Sequence, residues 1–246
     1  MVKSMLMFVV AIVIYSFAQE VNYNSITNLE IVFIDDSDQV HVKNAIRDDN
    51  TIIKESAIIY INTNNSDTIP KLFPNVRELK IVSQDFDASF ISAFSKLEKL
   101  GLHYCRFENL CKDSVGFKNL KVLEINHCID FNFFELSSHY RIFTNLEFLY
   151  ITNCKVEEIP ASIGGFSNIK YLELAGNKLT QLPNEIVNLR RLEMIGLIRN
   201  RFTKFPPQLL KMNKSVLIVE IGHNAIEEEE RIIIENLKSK KMGIHW

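Results

Sequence analysis

Apolar residues recur along this chain at one spacing, and that recurrence limits its fold more than any other feature. Between Ile169 and Leu189 the segment IKYLELAGNKLTQLPNEIVNL sets Ile169, Leu172 and Leu174 at intervals of three and two, with Asn177 three residues on. Side chains at that spacing line one side of a short extended segment, and an asparagine amide at the turn can satisfy backbone groups there. The same arrangement leads from Leu146, Leu149 and Ile151 to Cys154, from Leu192, Ile195 and Leu197 to Asn200, and from Val216, Val219 and Ile221 to Asn224. Upstream, Leu120, Leu123 and Ile125 precede Cys128; Leu97, Leu100 and Leu102 precede Cys105; Val76, Leu79 and Ile81 precede Gln84. Ile59 and Ile61 precede Asn64, with Ser56 a poor first member. Successive turn positions lie 20, 21, 23, 26, 23, 23 and 24 residues apart. A period of about 20–29 residues marks stacked units, each burying its apolar side against its neighbours.

The pattern L-x-x-L-x-L-x-x-N, followed by Leu179, Leu182-Pro183 and Ile186, resembles the leucine-rich repeat family in its 23-residue form. The resemblance implies an α/β solenoid, or horseshoe, with a parallel sheet on the concave face and short helical or 3-10 turns on the convex face. The widened step of 26 predicts a longer convex segment around 132–143, and Ile159-Pro160, Leu182-Pro183 and Phe205-Pro206 predict tight ones. We divide the chain into a signal peptide (1–18), an N-terminal cap (19–55), about eight repeats (56–225) and a capping helix with an edge strand (226–246).

The ends support that division. Lys3, an unbroken apolar run from Met5 to Tyr15 and Ser16-Phe17-Ala18 have the order of an export signal cleaved near Ala18-Gln19. Eleven apolar residues are too few for a membrane-spanning helix, which needs roughly 20. No cysteine follows the run, so a lipid anchor is not indicated. The SFA-QE junction looks like bacterial export signals, which predicts a secreted or periplasmic protein without stable membrane insertion. Leu29, Val32 and Ile34 before Ser37 mimic a rung, turned by Asp35, Asp36 and Asp38, and suit an atypical terminal unit. At the other end Ile226, Ile233, Ile234 and Leu237 fall near one helical face, with Glu227 to Glu230 at its start and Lys238, Lys240 and Lys241 beyond its end. Gly243 is expected to stop that helix, leaving Ile244 to Trp246 for a last strand. Without Lys3 the chain has 27 basic against 30 acidic residues, a formal charge of −3, which argues against a nucleic-acid or anionic-membrane partner.

Residues between the buried leucines face outward and form columns about 4.8 Å apart from rung to rung. One column reads Ile58, Glu78, Lys99, Val122, Phe148, Tyr171, Met194 and Ile218; the next reads Tyr60, Lys80, Gly101, Glu124, Tyr150, Glu173, Gly196 and Glu220. A third runs Asn62, Val82, His103, Asn126, Thr152, Ala175, Ile198 and Gly222. Phe148, Tyr150, Tyr171, Met194 and Ile198 make an apolar, aromatic patch edged by Glu173 and Arg199, the kind of anchor that protein interfaces use. The function expected is therefore a non-enzymatic, exported module that binds a protein or peptide on its concave face. The alternative is a carbohydrate or cell-envelope binder, with Tyr150, Tyr171 and Glu173 stacking on and bonding to sugars. An enzyme is disfavoured, because no acid–base pair, nucleophile–base pair or phosphate loop stands at usable spacing.

Cys105, Cys128 and Cys154 stand where other rungs carry asparagine. They are read as small thiols in the turn ladder, a substitution familiar in the family, with a Cys105–Cys128 disulfide as the competing reading and Cys111 without an evident partner. His103, Cys105, His127 and Cys128 have residue types that suit zinc, but cysteines pointing inward and His103 pointing outward would not converge, so no metal or other cofactor is expected. Asn64-Asn65-Ser66 and Asn213-Lys214-Ser215 match the glycosylation triplet, which matters only in a eukaryotic host.

Overall fold

The computed structural model describes residues 28–33, 42–46, 52–61, 69–112, 117–212, 217–238 and 242–246. The expected signal peptide and both glycosylation triplets lie outside these residues. Eleven strands form one sheet: β1 (Asn28–Phe33), β2 (Val42–Ile46), β3 (Ile52–Ile61), β4 (Glu78–Asp87), β5 (Lys99–Glu108), β6 (Val122–Asn126), β7 (Phe148–Thr152), β8 (Tyr171–Glu173), β9 (Met194–Gly196), β10 (Leu217–Glu220) and β11 (Met242–His245). From β4 to β11 the strands lie side by side in chain order, all parallel. The molecule is an α/β solenoid with short helical crossovers and one sheet, parallel except where β2 runs antiparallel to β3 at its N-terminal edge.

Register follows the apolar spacing. Leu100, Leu123, Leu149, Leu172 and Ile195 align across five strands, and each is fully buried. A second buried file lies three residues before each rung's first apolar position: Phe94, Phe117, Phe143 and Phe166. Each phenylalanine carbonyl accepts the N–H three residues on, closing the turn into the next strand. The rings stack along the axis, Phe117 to Phe143 at 5.3 Å and Phe143 to Phe166 at 6.1 Å. Each buries a large apolar area, so the file holds the convex crossovers at a fixed distance from the sheet.

Convex segments follow the step lengths. A step of 26 holds an α-helix at Phe133–Ser138, capped by the Asn132 side chain, and a 3-10 turn at Tyr140–Ile142. The repeats with Pro160 and Pro183 hold single 3-10 turns, Ala161–Gly165 and Asn184–Asn188, each with its proline at the N-cap. Proline suits that place because its missing N–H would have no helical partner there.

Three expectations change. At the N-terminal end, β1 lies between β3 and β4, parallel to both, so rung order there departs from chain order. Leu29 pairs with Leu79 and Ile31 with Ile81, where the sequence reading had put Val32 and Ile34 in those apolar positions. The register that forms matches the apolar alternation of β1 to that of both neighbours. At the other end, the helix Glu228–Leu237 buries Ile234, while Ile233 is 53 % and Leu237 64 % exposed. Ile226 is buried but precedes the helix, so it sets no phase for it; one narrow stripe faces the core. Gly243 does not stop this helix: Lys238 caps it by donating to Ile234 O, and Gly243 sits within β11 opposite Ile218.

Candidate functional site

The turn ladder fixes where the concave face begins. The side-chain oxygen of Asn177 accepts from the N–H groups of Cys154 and Val156, both at 3.1 Å, and its amide donates to the carbonyls of Ile151 (2.7 Å) and Leu174 (2.9 Å). Asn200 and Asn224 continue the ladder one and two rungs on, each accepting from one N–H, that of Leu179 or of Phe202, and donating to carbonyls of its own and the preceding rung. Cys154 Sγ points to the carbonyls of Thr152 and Ile125, and Cys128 Sγ to those of Leu102 and Asn126 while accepting from Cys105 N at 3.4 Å. The thiols thus fill the asparagine role with one hydrogen where the amide has two. None of the four cysteines, all among the described residues, is in a disulfide, so the disulfide reading does not hold. Burial pushes the Cys111 and Cys154 thiols up to about 12, and a hydrogen bond with Cys105 pulls Cys128 down. His103 lies at the concave surface 3.9 Å from Glu124, away from those inward thiols. Among the described residues no three metal-ligating side chains converge.

A backbone feature accompanies the six turns from Cys105 to Asn224. Tyr104, His127, Asn153, Gly176, Arg199 and His223, each just before the ladder residue, adopt φ between 54° and 71°. Left-handed backbone is costly for side chains other than glycine, least so for asparagine and histidine. Sequence reading missed this column, although Asn, His and Gly recurring before the ladder residue carry its signature. The turn places Tyr104 outward, 60 % exposed and stacked on His127 at 4.7 Å.

The sheet brings Phe148, Tyr171 and Met194 side by side, with Tyr150, Glu173 and Gly196 as the next column. All of these side chains except buried Gly196 are half-buried on the open face. The rings of Tyr150 and Tyr171 stand 5.2 Å apart at 42°. Tyr171 Oη donates to Glu173 Oε2 at 2.7 Å, and Ala175 N donates to Glu173 Oε1 at 3.0 Å. A Cβ at Gly196 would overlap both Glu173 carboxylate oxygens, so the missing side chain there gives Glu173 its place. Burial, then the Glu173 bond, drives the Tyr171 hydroxyl far above the ordinary tyrosine value; burial also raises Tyr150. Both hydroxyls therefore keep their protons, and that of Tyr171 donates to Glu173.

Not every expected site residue joins this group. Ile198 and Arg199 lie past the end of β9; Ile198 is half-buried, and Arg199 is exposed on the turn with its N–H held by Gly222 O. On the other side of Tyr150 stands Glu124, bonded to Lys99 at 2.8 Å, which holds the lysine above its usual range.

Residues 144–202 match the leucine rich repeat family model. No curated protein matches the chain. Among solved structures, internalin C2 of Listeria monocytogenes is 18 % identical, with 72 % of this chain and 73 % of that one covered at a TM-score of 0.53. Human trophoblast glycoprotein is 14 % identical, with 69 % of each chain covered and a TM-score of 0.54. A leucine-rich repeat protein of Leptospira interrogans is 21 % identical over 70 % of this chain, with a TM-score of 0.48; the chain spans about half of its length, 49 %. The ladder, the register, the family match over 144–202 and the likeness to the structures with TM-scores of 0.53 and 0.54 agree on one fold, the leucine-rich repeat solenoid.

Proposed function

We propose that the protein is a non-enzymatic, exported interaction module whose concave face binds a protein or peptide through Phe148, Tyr150, Tyr171, Glu173 and Met194, with Ile198 and Arg199 at the rim. One observation carries this reading: Tyr150 and Tyr171 are held 5.2 Å apart, half-buried, on adjacent strands of an open sheet face. Large rings already fixed by neighbours lose little freedom on binding and bury much area, which is why such residues anchor interfaces. Export rests on the N-terminal segment; a chain recovered outside the cell would begin at Gln19 by mass.

Affinity capture from native envelope and culture fluid, run beside a Tyr150→Ala/Tyr171→Ala double variant, tests the site. A protein held by the unaltered chain and lost by the variant is expected. Equal retention by both moves binding off this face, and release by soluble glycans favours the carbohydrate alternative.

A further inference from the structure

We propose that the C-terminal helix Glu228–Leu237 is a self-association surface. A second copy of this chain docks on it about a two-fold axis with the two helices antiparallel. Ile233 and Leu237 of each copy then seat in the groove between the helix and Trp246 of the other. The proposal does not depend on the concave-face reading.

Exposed apolar surface is concentrated on this element. Among the described residues six large hydrophobic side chains are exposed, and three of them, Ile232, Ile233 and Leu237, stand on this one ten-residue helix. Single apolar residues scattered over a surface are ordinary, but three within two turns of one helix form a patch. Ile233 and Leu237 lie one turn apart and make a ridge, and Ile232 and Asn236 border it along the next row. The helix uses none of the three to pack on its own core, where it buries Ile234.

Beside the ridge lies a place that can receive one. Ile232, Arg231, Glu235 and Trp246 line a groove of about 300 Å³. Its far wall is fixed, since the Trp246 indole donates to Glu235 at 3.0 Å, lies 5.6 Å from the Arg231 guanidinium and meets Phe205 edge-on. A benzene-sized group fits in a cavity of roughly 150 Å³, so the groove has room for the two aliphatic side chains of a ridge. Two-fold symmetry lets each ridge enter the other copy's groove at once. Charge sets the direction. Glu228, Glu229 and Glu230 occupy the first turn, while Lys238, Lys240 and Lys241 come after the last in the sequence. Parallel helices would set carboxylates against carboxylates, whereas antiparallel ones set each acidic start beside the other's basic end and oppose the two helix dipoles. At 1.5 Å per residue the helix is about 15 Å long, so one face of it buries less than the roughly 800 Å² per partner of a stable interface. Association is therefore weak, with a dissociation constant of roughly 10–500 µM.

Sedimentation equilibrium of the unaltered protein from about 1 µM to about 1 mM tests this. A monomer–dimer equilibrium inside that range is expected, with no higher species. Trp246 emission is expected to move to the blue as the dimer forms, because the partner's ridge takes water off the indole. Ile233→Ser/Leu237→Ser is expected to weaken dimerisation about tenfold or more and to remove the emission shift. Its circular dichroism at low micromolar concentration, where the protein is monomeric, is expected to match that of the unaltered protein. Ile129→Ser/Phe134→Ser removes two other exposed apolar side chains and is expected to leave the dimer unchanged. Glu228→Lys/Glu229→Lys is expected to weaken the dimer about fivefold at low salt and less at high salt. A monomer across the whole range overturns the proposal and leaves the face to some other occupant. Equal losses in the two serine variants, or association that continues past the dimer, also overturn it. A dimer that Glu228→Lys/Glu229→Lys tightens or leaves unchanged overturns the antiparallel arrangement, and the proposal with it.

Discussion

At the scale of single residues, stability concentrates where one side chain serves several backbone groups. Asn177 is buried and bridges four of them across two rungs. Asn177→Ala leaves buried donors and acceptors unmatched at about 1–3 kcal/mol each, so a loss of about 3 kcal/mol or more is expected in urea unfolding. Asn177→Cys is expected to lose clearly less, because Cys154 already serves its own rung through sulfur. The replacement also brings a pH dependence whose sign Cys154 shows. Its thiol, pushed up to about 12 by burial, keeps its proton in the fold after the unfolded chain loses it near pH 8.5. Stability tied to such a thiol is whole below about pH 8.5 and falls as pH rises toward 12. Asn177→Cys should therefore weaken above pH 8.5 relative to the unaltered protein, and Asn177→Ala should not. Equal losses for the two variants at pH 7 would reject the ladder account.

At the scale of elements, the strands were legible because burial imposes the three-two spacing on every rung, and the sheet register follows from it. The concave columns were legible for the same reason, so Phe148, Tyr150, Tyr171, Glu173 and Met194 were found together. Arg199, expected at the edge of the patch, stands on the turn past β9, where a left-handed backbone takes it off the strand line, and strand alternation carries no information about such a turn. The role of Gly196 was hidden because it appears only through the Glu173 side chain that occupies its space. The final helix shows the opposite error. Ile226, Ile233, Ile234 and Leu237 suggested one apolar helical face, yet the helix buries only Ile234, and Ile232, Ile233 and Leu237 are exposed. Ile234→Ala is therefore expected to cost about 2–5 kcal/mol. Serine at Ile232, Ile233 or Leu237 is expected to change stability by no more than about 0.5 kcal/mol each. Thermal or urea unfolding of the four variants checks this, and a large loss at Ile233 would mean that the helix packs by a different face.

At the scale of the whole molecule, each rung from β4 to β11 pairs only with its neighbours, so stability approaches a sum of rung and nearest-neighbour contributions. Cooperativity then depends on how strongly each interface couples, and the chain carries its own reporter of one end. Trp246, the single tryptophan, meets Phe205 edge-on at 5.8 Å, lies 5.6 Å from the Arg231 guanidinium and donates to Glu235 at 3.0 Å. Its emission follows the last rungs, whereas far-ultraviolet circular dichroism follows all of them. Leu197 and Leu100 are both fully buried, one rung pattern near Trp246 and the other at the far side of the sheet. Either replacement by alanine removes about 2–5 kcal/mol of packing. Leu197→Ala is expected to move the tryptophan midpoint as far as the dichroism midpoint. Leu100→Ala is expected to move dichroism more than tryptophan, because its loss reaches Trp246 only through several interfaces. Identical shifts of both probes in both variants would make the solenoid one cooperative unit, and nearest-neighbour additivity would fail. That distinction bears on the proposed binding site, since Tyr150, Tyr171 and Met194 sit on three successive strands and keep their spacing only while the interfaces between those strands hold.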